Sequence, residues 1–369
     1  MNSEMTCDLC GRVLSEDGAH YFDDRCMCSD CFEERTNVCT HCHDVIWTDD
    51  DEGEDDFPLC HHCRDYYYTT CEDCGRLISL DDARYLDDDS DYPYCESCYE
   101  RHEKRFIHDY GFKPEPIFYG NSDRYFGVEL EIDKGGEDDD NARILASIAN
   151  QCTEHIYIKH DGSIDEGMEL VSHPMSLEYH INSMTWSDIM EKAIAMGYRS
   201  HKTNTCGLHV HVNRTAFGDS EELQEDRISR ILFFVERFWQ ELLKFSRRTE
   251  SQVKRWAARY GVKNTPKEVL DHAKNNYVGR YTCVNLTNYY TIEFRIFRGT
   301  LKYSTFVATL QLVNEICNVA VSMSDEELTN ISWPEFVASI DSEKSPELIT
   351  YLKERRLFVN EPVTCEEDM

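Results

Sequence analysis

No stretch of this 369-residue chain approaches the roughly 20 consecutive apolar residues that span a bilayer, so no transmembrane helix is expected. The opening segment MNSEMTCDLC has no apolar run either, and no secretory signal is expected there. Positive charge is scarce: 38 Lys and Arg stand against 71 Asp and Glu, a net charge of −33. So acidic a surface repels phosphate backbones, which argues against nucleic acid as a partner. A glycine-rich phosphate loop is missing as well. The expectation is a soluble, cytoplasmic protein that acts on neither nucleic acid nor membrane.

What the chain does have is cysteine in a fixed rhythm. Pairs with C-x2-C spacing recur every 32 residues, at Cys7/Cys10, Cys39/Cys42 and Cys71/Cys74. Each has a downstream partner pair: Cys28/Cys31, Cys60/Cys63 and Cys95/Cys98. A C-x2-C turn sets two sulfurs at the separation a tetrahedral Zn²⁺ needs, and two turns complete the tetrahedron. Consecutive pairs are expected to share a metal, with a cross-braced arrangement as the alternative. A disulfide framework is the other alternative, disfavoured by the missing signal segment. Cys26, His41, His43, His61 and His62 are near enough to substitute as ligands, but are expected to be bystanders. Four thiolates leave no position for a reacting water, so three structural zincs are expected. The units resemble zinc-ribbon or LIM-like treble-clef modules, at about 5–35, 37–67 and 69–101.

Residues 1–105 carry 29 acidic against 9 basic side chains. The runs DDDEGEDD (49–56) and DDDSD (87–91) read as solvated loop tips, with docking of a basic protein partner as the alternative. Single cysteines at 152, 206, 283, 317 and 365 show no pairing pattern and read as reduced thiols. Residues 105–121 read as a linker after modules spanning 1–104, and residues from 359 as a frayed tail. Between them, 122–358 read as one α+β domain. Strands are expected at 125–133, 156–160, 167–172, 206–213, 280–287 and 290–298. Helices are expected at 141–151, 175–197, 220–247, 266–276, 303–323 and 344–355.

The strands share one design. In YFGVELEID, Val128, Leu130 and Ile132 point one way and Glu129, Glu131 and Asp133 the other. In CGLHVHVN, Leu208, Val210 and Val212 oppose His209, His211 and Asn213. In TIEFRIFRG, Ile292, Phe294 and Ile296 oppose Glu293, Arg295 and Phe297. In GMELVS, Glu169 opposes Met168 and Leu170. A half-exposed antiparallel sheet would give a polar face anyway. Yet Glu129 and Glu131 repel each other, and a cation would relieve that. Carboxylates with an imidazole suit Mg²⁺ or Mn²⁺, and Arg295 suits a phosphate.

FGVELE, DGSIDEGMELVSHP, CGLHVHVN and RYTCVNLTNYYTIEFRIFRGT, in that order, resemble the amidoligase family of the carboxylate–amine ligase superfamily, which includes glutamine synthetase. The resemblance covers about 122–320. It implies a curved, mostly antiparallel, glutamine synthetase-like sheet with helices on one face, holding ATP and Mg²⁺ (or Mn²⁺). It implies ATP-dependent joining of a carboxylate to an amine through an acyl phosphate, on an amino-acid, peptide or protein substrate. Carried over motif by motif, Glu129, Glu131, Glu169, His209 and Glu293 match metal ligands. His211 orients substrate or phosphate, and Arg295 clamps phosphate. Arg280 and Asn285 contact nucleotide or substrate, and Asp161 assists deprotonation of the amine. Arg298 is grouped with the nucleotide contacts; it and Thr300 close the last motif, where a structural role is the alternative. The zinc modules would recruit a substrate or partner. They stand where glutamine synthetase has a further strand domain, so neither its ring nor its glutamate substrate is implied. Two other readings stand beside this one: a non-catalytic zinc-module interaction protein on a degenerate ligase scaffold, and a metal-dependent hydrolase.

Overall fold

A computed structural model describes residues 5–86, 91–203, 205–275 and 279–358, with 101–104 as main chain only. The tail from 359 with Cys365, and residues 87–90 of the second acidic run, lie outside the described residues. The chain divides into two compact units, Met1–Arg105 and Phe106–Met369.

In the first unit each leading cysteine pair forms a tight turn, and each following pair lies at the start of a short helix: Ser29–Arg35, His61–Tyr67 and Glu96–Lys104. The turns repeat in detail. Gly11, His43 and Gly75 each follow the second cysteine of a turn, with φ of 73°, 66° and 69°. Their amides donate to the carbonyls of Cys7, Cys39 and Cys71 at 2.8, 2.9 and 2.9 Å. Glycine adopts that backbone freely, whereas His43 adopts it at a cost. Cys28 and Cys60 are helix N-caps, and Cys60 Sγ accepts the Cys63 amide at 3.4 Å. Met27 backs the first cysteine set, Leu59 the second, and Ile78 with Tyr94 the third. Cores this small do not hold a fold without a crosslink or a metal. In the acidic run 49–56, Asp51 is no mere solvated tip. Its carboxylate accepts the amides of Gly53 and Leu59 at 2.9 Å each and Asn37 Nδ2 at 2.7 Å, pinning the loop.

The second unit is mixed α/β. Among the described residues its strands are β1 (Phe126–Ile132), β2 (Ile156–Lys159), β3 (Met168–Ser172), β4 (Gly207–Asn213), β5 (Val284–Asn285) and β6 (Thr291–Arg298). They form one sheet in the order β5-β6-β4-β1-β3-β2, antiparallel at every pairing. Alternation in β1, β4 and β6 puts Val128, Leu130, Leu208, Val210, Ile292 and Phe294 on one face, all fully buried. Helices cover that face, among them α1 (Glu221–Arg237), α2 (Trp239–Ser246) and α3 (Tyr303–Ser322). Each such side chain contributes about 1.5–3 kcal/mol by leaving water. By length and composition α3 could cross a membrane, but it is largely buried inside this core. The second unit begins at Phe106, inside the expected linker: Ile107 is in the core and its amide donates to Asp139 Oδ1 at 3.0 Å.

The structure departs from the sequence expectations in several places. The helix expected over 220–247 breaks at Phe238, whose ring turns edge-on to Phe234 and packs on Trp333. The one over 175–197 splits into Leu177–Asn182 and Trp186–Ala195. The strand over 280–287 shrinks to β5. Short helices at Glu250–Trp256, Asp325–Asn330 and Trp333–Ser339 were not expected. Each opens with a capping box (Thr249/Gln252, Ser324/Glu327, Ser332/Glu335), which is a sequence signal. Phe297 also changes face. A bulge opposite β4 lets Arg295 and Ile296 face one residue, so Phe297 pairs with Leu208 and enters the core at 2% exposure.

Candidate functional site

In the first unit, Cys7/Cys10/Cys28/Cys31, Cys39/Cys42/Cys60/Cys63 and Cys71/Cys74/Cys95/Cys98 each bring four ligand atoms within 4.8 Å of one another. Consecutive pairs therefore share a cluster, and the cross-braced alternative does not hold. The Sγ–Sγ edges Cys10–Cys28, Cys42–Cys60 and Cys74–Cys95 are all 3.8 Å. A disulfide would be about 2.05 Å. A tetrahedron with metal–sulfur bonds of about 2.3 Å has edges of about 3.8 Å. The three clusters thus fit tandem zinc-binding modules. Backbone amides of Cys28 and Cys10 favour the thiolate further, holding Cys7 down to about 6. Cys26, His41, His43 and His62 lie outside these thiol sets, and His61 pairs with Glu52 (2.8 Å) and Asp65 (3.3 Å).

In the second unit, cross-strand register builds a polar field on the face opposite the core. Lys159, Glu169 and Glu131 stand abreast on β2, β3 and β1. One step along, Glu129 on β1 faces His209 on β4. One step further, His211 on β4 faces Glu293 on β6, which faces Asn285 on β5. His209 is the hub: Nδ1 is 3.1 Å from Glu129 Oε2 and 3.6 Å from Glu293 Oε1, while Nε2 is 3.7 Å from Glu131 Oε1. His211 Nε2 is 3.1 Å from Glu129 Oε1. Glu169 is 3.3 Å from Lys159 Nζ. Glu293 pairs with Arg295 and accepts Asn285 Nδ2 at 2.8 Å. Glu129, Glu169 and His209 bring ligand atoms within 4.8 Å of one another, and can hold a metal.

The charges are incompletely balanced. Burial pushes Glu169 well above the usual carboxylate range, and the Glu129 charge adds to that against the pull of Lys159. Burial also raises Glu131, despite His209 and the Gly207 amide that donates to it. Glu129 goes the other way. Burial opposes its ionisation, but His211 and the hydrogen bond from His209 hold it well below the usual range. Glu293 is lowered against burial, chiefly by His211. His211 is raised against burial by Glu129 and Glu293. Arg295 is raised against burial by Glu293 and Glu129, and its buried Nε has no partner among the described residues. Several acceptors and an unspent guanidinium donor on one largely buried face fit a divalent cation beside an anionic group.

This field floors a cleft of 1930 Å³. Asp161 lines it, with its carboxylate taking the Ser163 amide at 2.7 Å. Arg280 lines it from between Tyr110 and Tyr281, whose rings lie 5.3 and 5.1 Å from its guanidinium carbon. Asn285 is buried and hydrogen-bonded to Glu293, so it positions that carboxylate. Arg298 and Thr300 are not brought to the cleft. Past the bulge, Arg298 lies opposite Gly207 and donates to the carbonyls of Thr203 (3.0 Å) and Arg247 (3.5 Å). That placement fits the structural role given above as its alternative.

Sequence reasoning missed other lining residues. Lys159 was legible in the alternation of IYIK, whose Tyr157 and Lys159 oppose Ile156 and Ile158. Arg248 carried no such signal, because it sits between two helices. It is buried against Gly207, where a Cβ would come within 2.6 Å of Arg248 Nη2 and His209 Nε2. A side chain at Gly207 would have to displace the ends of Arg248 and His209. His173 accepts the Ile117 amide on Nδ1 at 3.2 Å, leaving a buried Nε2 without a partner among the described residues.

No curated protein matches the chain. Strand β1, with Glu129 and Glu131, precedes the segment that does find a match. Residues 146–317, which carry β2 to β6, match the family model described as "Putative amidoligase enzyme".

Proposed function

We propose that the second unit is an ATP-dependent carboxylate–amine ligase that forms an amide or isopeptide bond. The match over 146–317 supports a ligase-type function in general. The observation that carries the finer reading is the set of four carboxylates, Glu129, Glu131, Glu169 and Glu293, gathered about His209 and next to Arg295. Like charges packed this closely on a buried face are costly without a cation to share.

Glu129, Glu169 and His209 would hold a divalent cation, with Glu131 and Glu293 beside them. Mg-ATP bound there would supply the phosphoryl group that activates a substrate carboxylate. Arg295, already ionised and fixed by Glu293, stabilises negative charge on the group in transfer. The substrate carboxylate attacks phosphorus and ADP departs, leaving an acyl phosphate. An amine then attacks the acyl carbon and phosphate leaves. Asp161, on the cleft wall, takes the amine's proton. A cleft of 1930 Å³ exceeds the roughly 300–1,000 Å³ of ordinary ligand pockets, which suits two substrates at once. The glutamine synthetase-like fold and a recruiting role for the zinc modules belong to the same proposal.

Calorimetric titration of Mg-ATP into the zinc-loaded chain, beside the Glu129→Gln/Glu131→Gln variant, tests it. Magnesium-dependent binding lost in the variant is the expected result. Equal binding by both proteins would remove the nucleotide from this face.

A further inference from the structure

His201, Lys244, Arg247, Arg248 and Arg355 line a second crevice, of 790 Å³. Among the described residues, no Asp or Glu lines it. In a chain of net charge −33, four cationic side chains and a histidine without an acidic neighbour on the same wall are a concentrated exception.

Helix capping explains two of them. Arg355 donates through Nε (3.1 Å) and Nη2 (2.6 Å) to Lys244 O, near the C-terminus of α2. Lys244 Nζ donates to Arg356 O at 3.1 Å, just beyond the helix Pro346–Glu354. Basic side chains satisfy helix C-termini in this way routinely. Capping does not explain His201, Arg247 or Arg248. Arg247 holds φ at 61°, a left-handed backbone, with its guanidinium carbon 5.6 Å from the Tyr351 ring centre. Arg248 is only 8% exposed and spends Nε on Phe297 O at 3.2 Å. Burial lowers the pKa of His201, and the positive charges of Arg247, Lys202 and Arg298 lower it further, so it stands in the crevice as a neutral imidazole.

We propose that this crevice binds a phosphate-type oxyanion, free or as a phosphomonoester, separately from the carboxylate field. Guanidinium groups meet tetrahedral oxyanions through paired N–H donors, and the crevice has room beyond a single phosphate group. Arg248 lines both cavities, so an anion held here rests against the guanidinium that also borders the cleft. The site goes beyond the ligase reading and does not require it.

Calorimetric titration of inorganic phosphate, and separately of glycerol 1-phosphate, into the zinc-loaded full chain without magnesium or nucleotide tests the proposal. Saturable binding at one site is expected. Arg247→Gly should weaken it about tenfold, the worth of one charge-assisted hydrogen bond. Glycine suits the positive φ there, so the fold should persist. Lys244→Gln should weaken it similarly and provides the check if Arg247→Gly does not fold. Tighter binding of the ester would identify a phosphomonoester as the occupant, and equal affinity would identify free phosphate. The proposal fails if no saturable binding is seen, or if both variants bind like the parent. It fails equally if Arg295→Gln abolishes binding while Arg247→Gly leaves it intact, which would place the anion in the cleft.

Discussion

Glu131 and Glu169 stand directly opposite each other across the β1–β3 ladder, both buried. Like charges facing across an antiparallel pair destabilise it. Burial raises the pKa of both, as desolvation requires. Glu131→Gln keeps an acceptor for the Gly207 amide and removes the charge. The metal-free variant should therefore be as stable as the parent or up to about 1 kcal/mol more stable. Its stabilisation by Mg²⁺ should be largely lost. Thermal unfolding with and without magnesium separates the two effects; a variant less stable without metal and equally rescued by it would contradict this account.

Glu293 is held by Asn285 and Arg295 while sitting 3.6 Å from His209. Glu293→Gln preserves volume and leaves an acceptor for Asn285. ADP release should fall by at least about 100-fold, in line with the loss of one preorganised electrostatic group. Near-ultraviolet circular dichroism should be unchanged. Full turnover by this variant would show that β6 does not supply the reactive face.

His43 alone among the three equivalent turn positions carries a side chain at positive φ. His43→Gly should stabilise the second module by about 1 kcal/mol, since glycine relieves left-handed strain. Hydrogen exchange of the amides around Cys39 and Cys63 reads this directly; faster exchange in the variant would mean that His43 makes a contact worth more than the strain.

Cys71→Ser/Cys74→Ser should reduce bound zinc from three ions per chain to two, because each cluster closes on its own pairs. Elemental analysis measures the stoichiometry. Protection of the third module should collapse with the metal, as small zinc modules fold only when loaded. Retention of three zincs would break the one-cluster, one-metal assignment.

His180 is buried between Phe126 O, 2.9 Å from Nε2, and the Trp186 indole N–H, 3.1 Å from Nδ1. Burial lowers its pKa from 6.5 to about 4, so the folded form keeps it neutral. The unfolded chain binds a proton below about pH 6.5, and stability is lost as pH falls from there to about 4. The loss attributable to this one group is about 3 kcal/mol. His180→Gln can make both hydrogen bonds and does not titrate. Its urea unfolding free energy should fall less than the parent's between pH 7 and pH 4.5, by about 2–3 kcal/mol. Parallel pH profiles would mean His180 is protonated in the fold.

Much of the reactive face could be read from alternation. Glu129, Glu131, His209, His211 and Glu293 fall on one side of strands whose other side is Val, Leu and Ile, and a period of two leaves little choice. The cysteine clusters were legible for a similar reason, since C-x2-C spacing limits where two sulfurs can lie. Phe297 was misread because a bulge inserts one residue and shifts the alternation after it, and no residue in TIEFRIFRG announces that. The short helices after Thr249, Ser324 and Ser332 were announced by their capping boxes, but lacked the length that makes an apolar stripe visible.

The sequence alone determined which side chains could do chemistry here: local geometry, a turn for the thiols and a pleat for the carboxylates, decides which neighbours share a face. Only the tertiary structure decided which strands lie side by side. Strand order β5-β6-β4-β1-β3-β2 is what puts Glu169 opposite Glu131 and His209 between Glu129 and Glu293. That order is set by how the apolar faces pack beneath the helices, a long-range matter on which no local pattern bears. The same packing brings Arg248 from an interhelical loop to the wall shared by the cleft and the basic crevice.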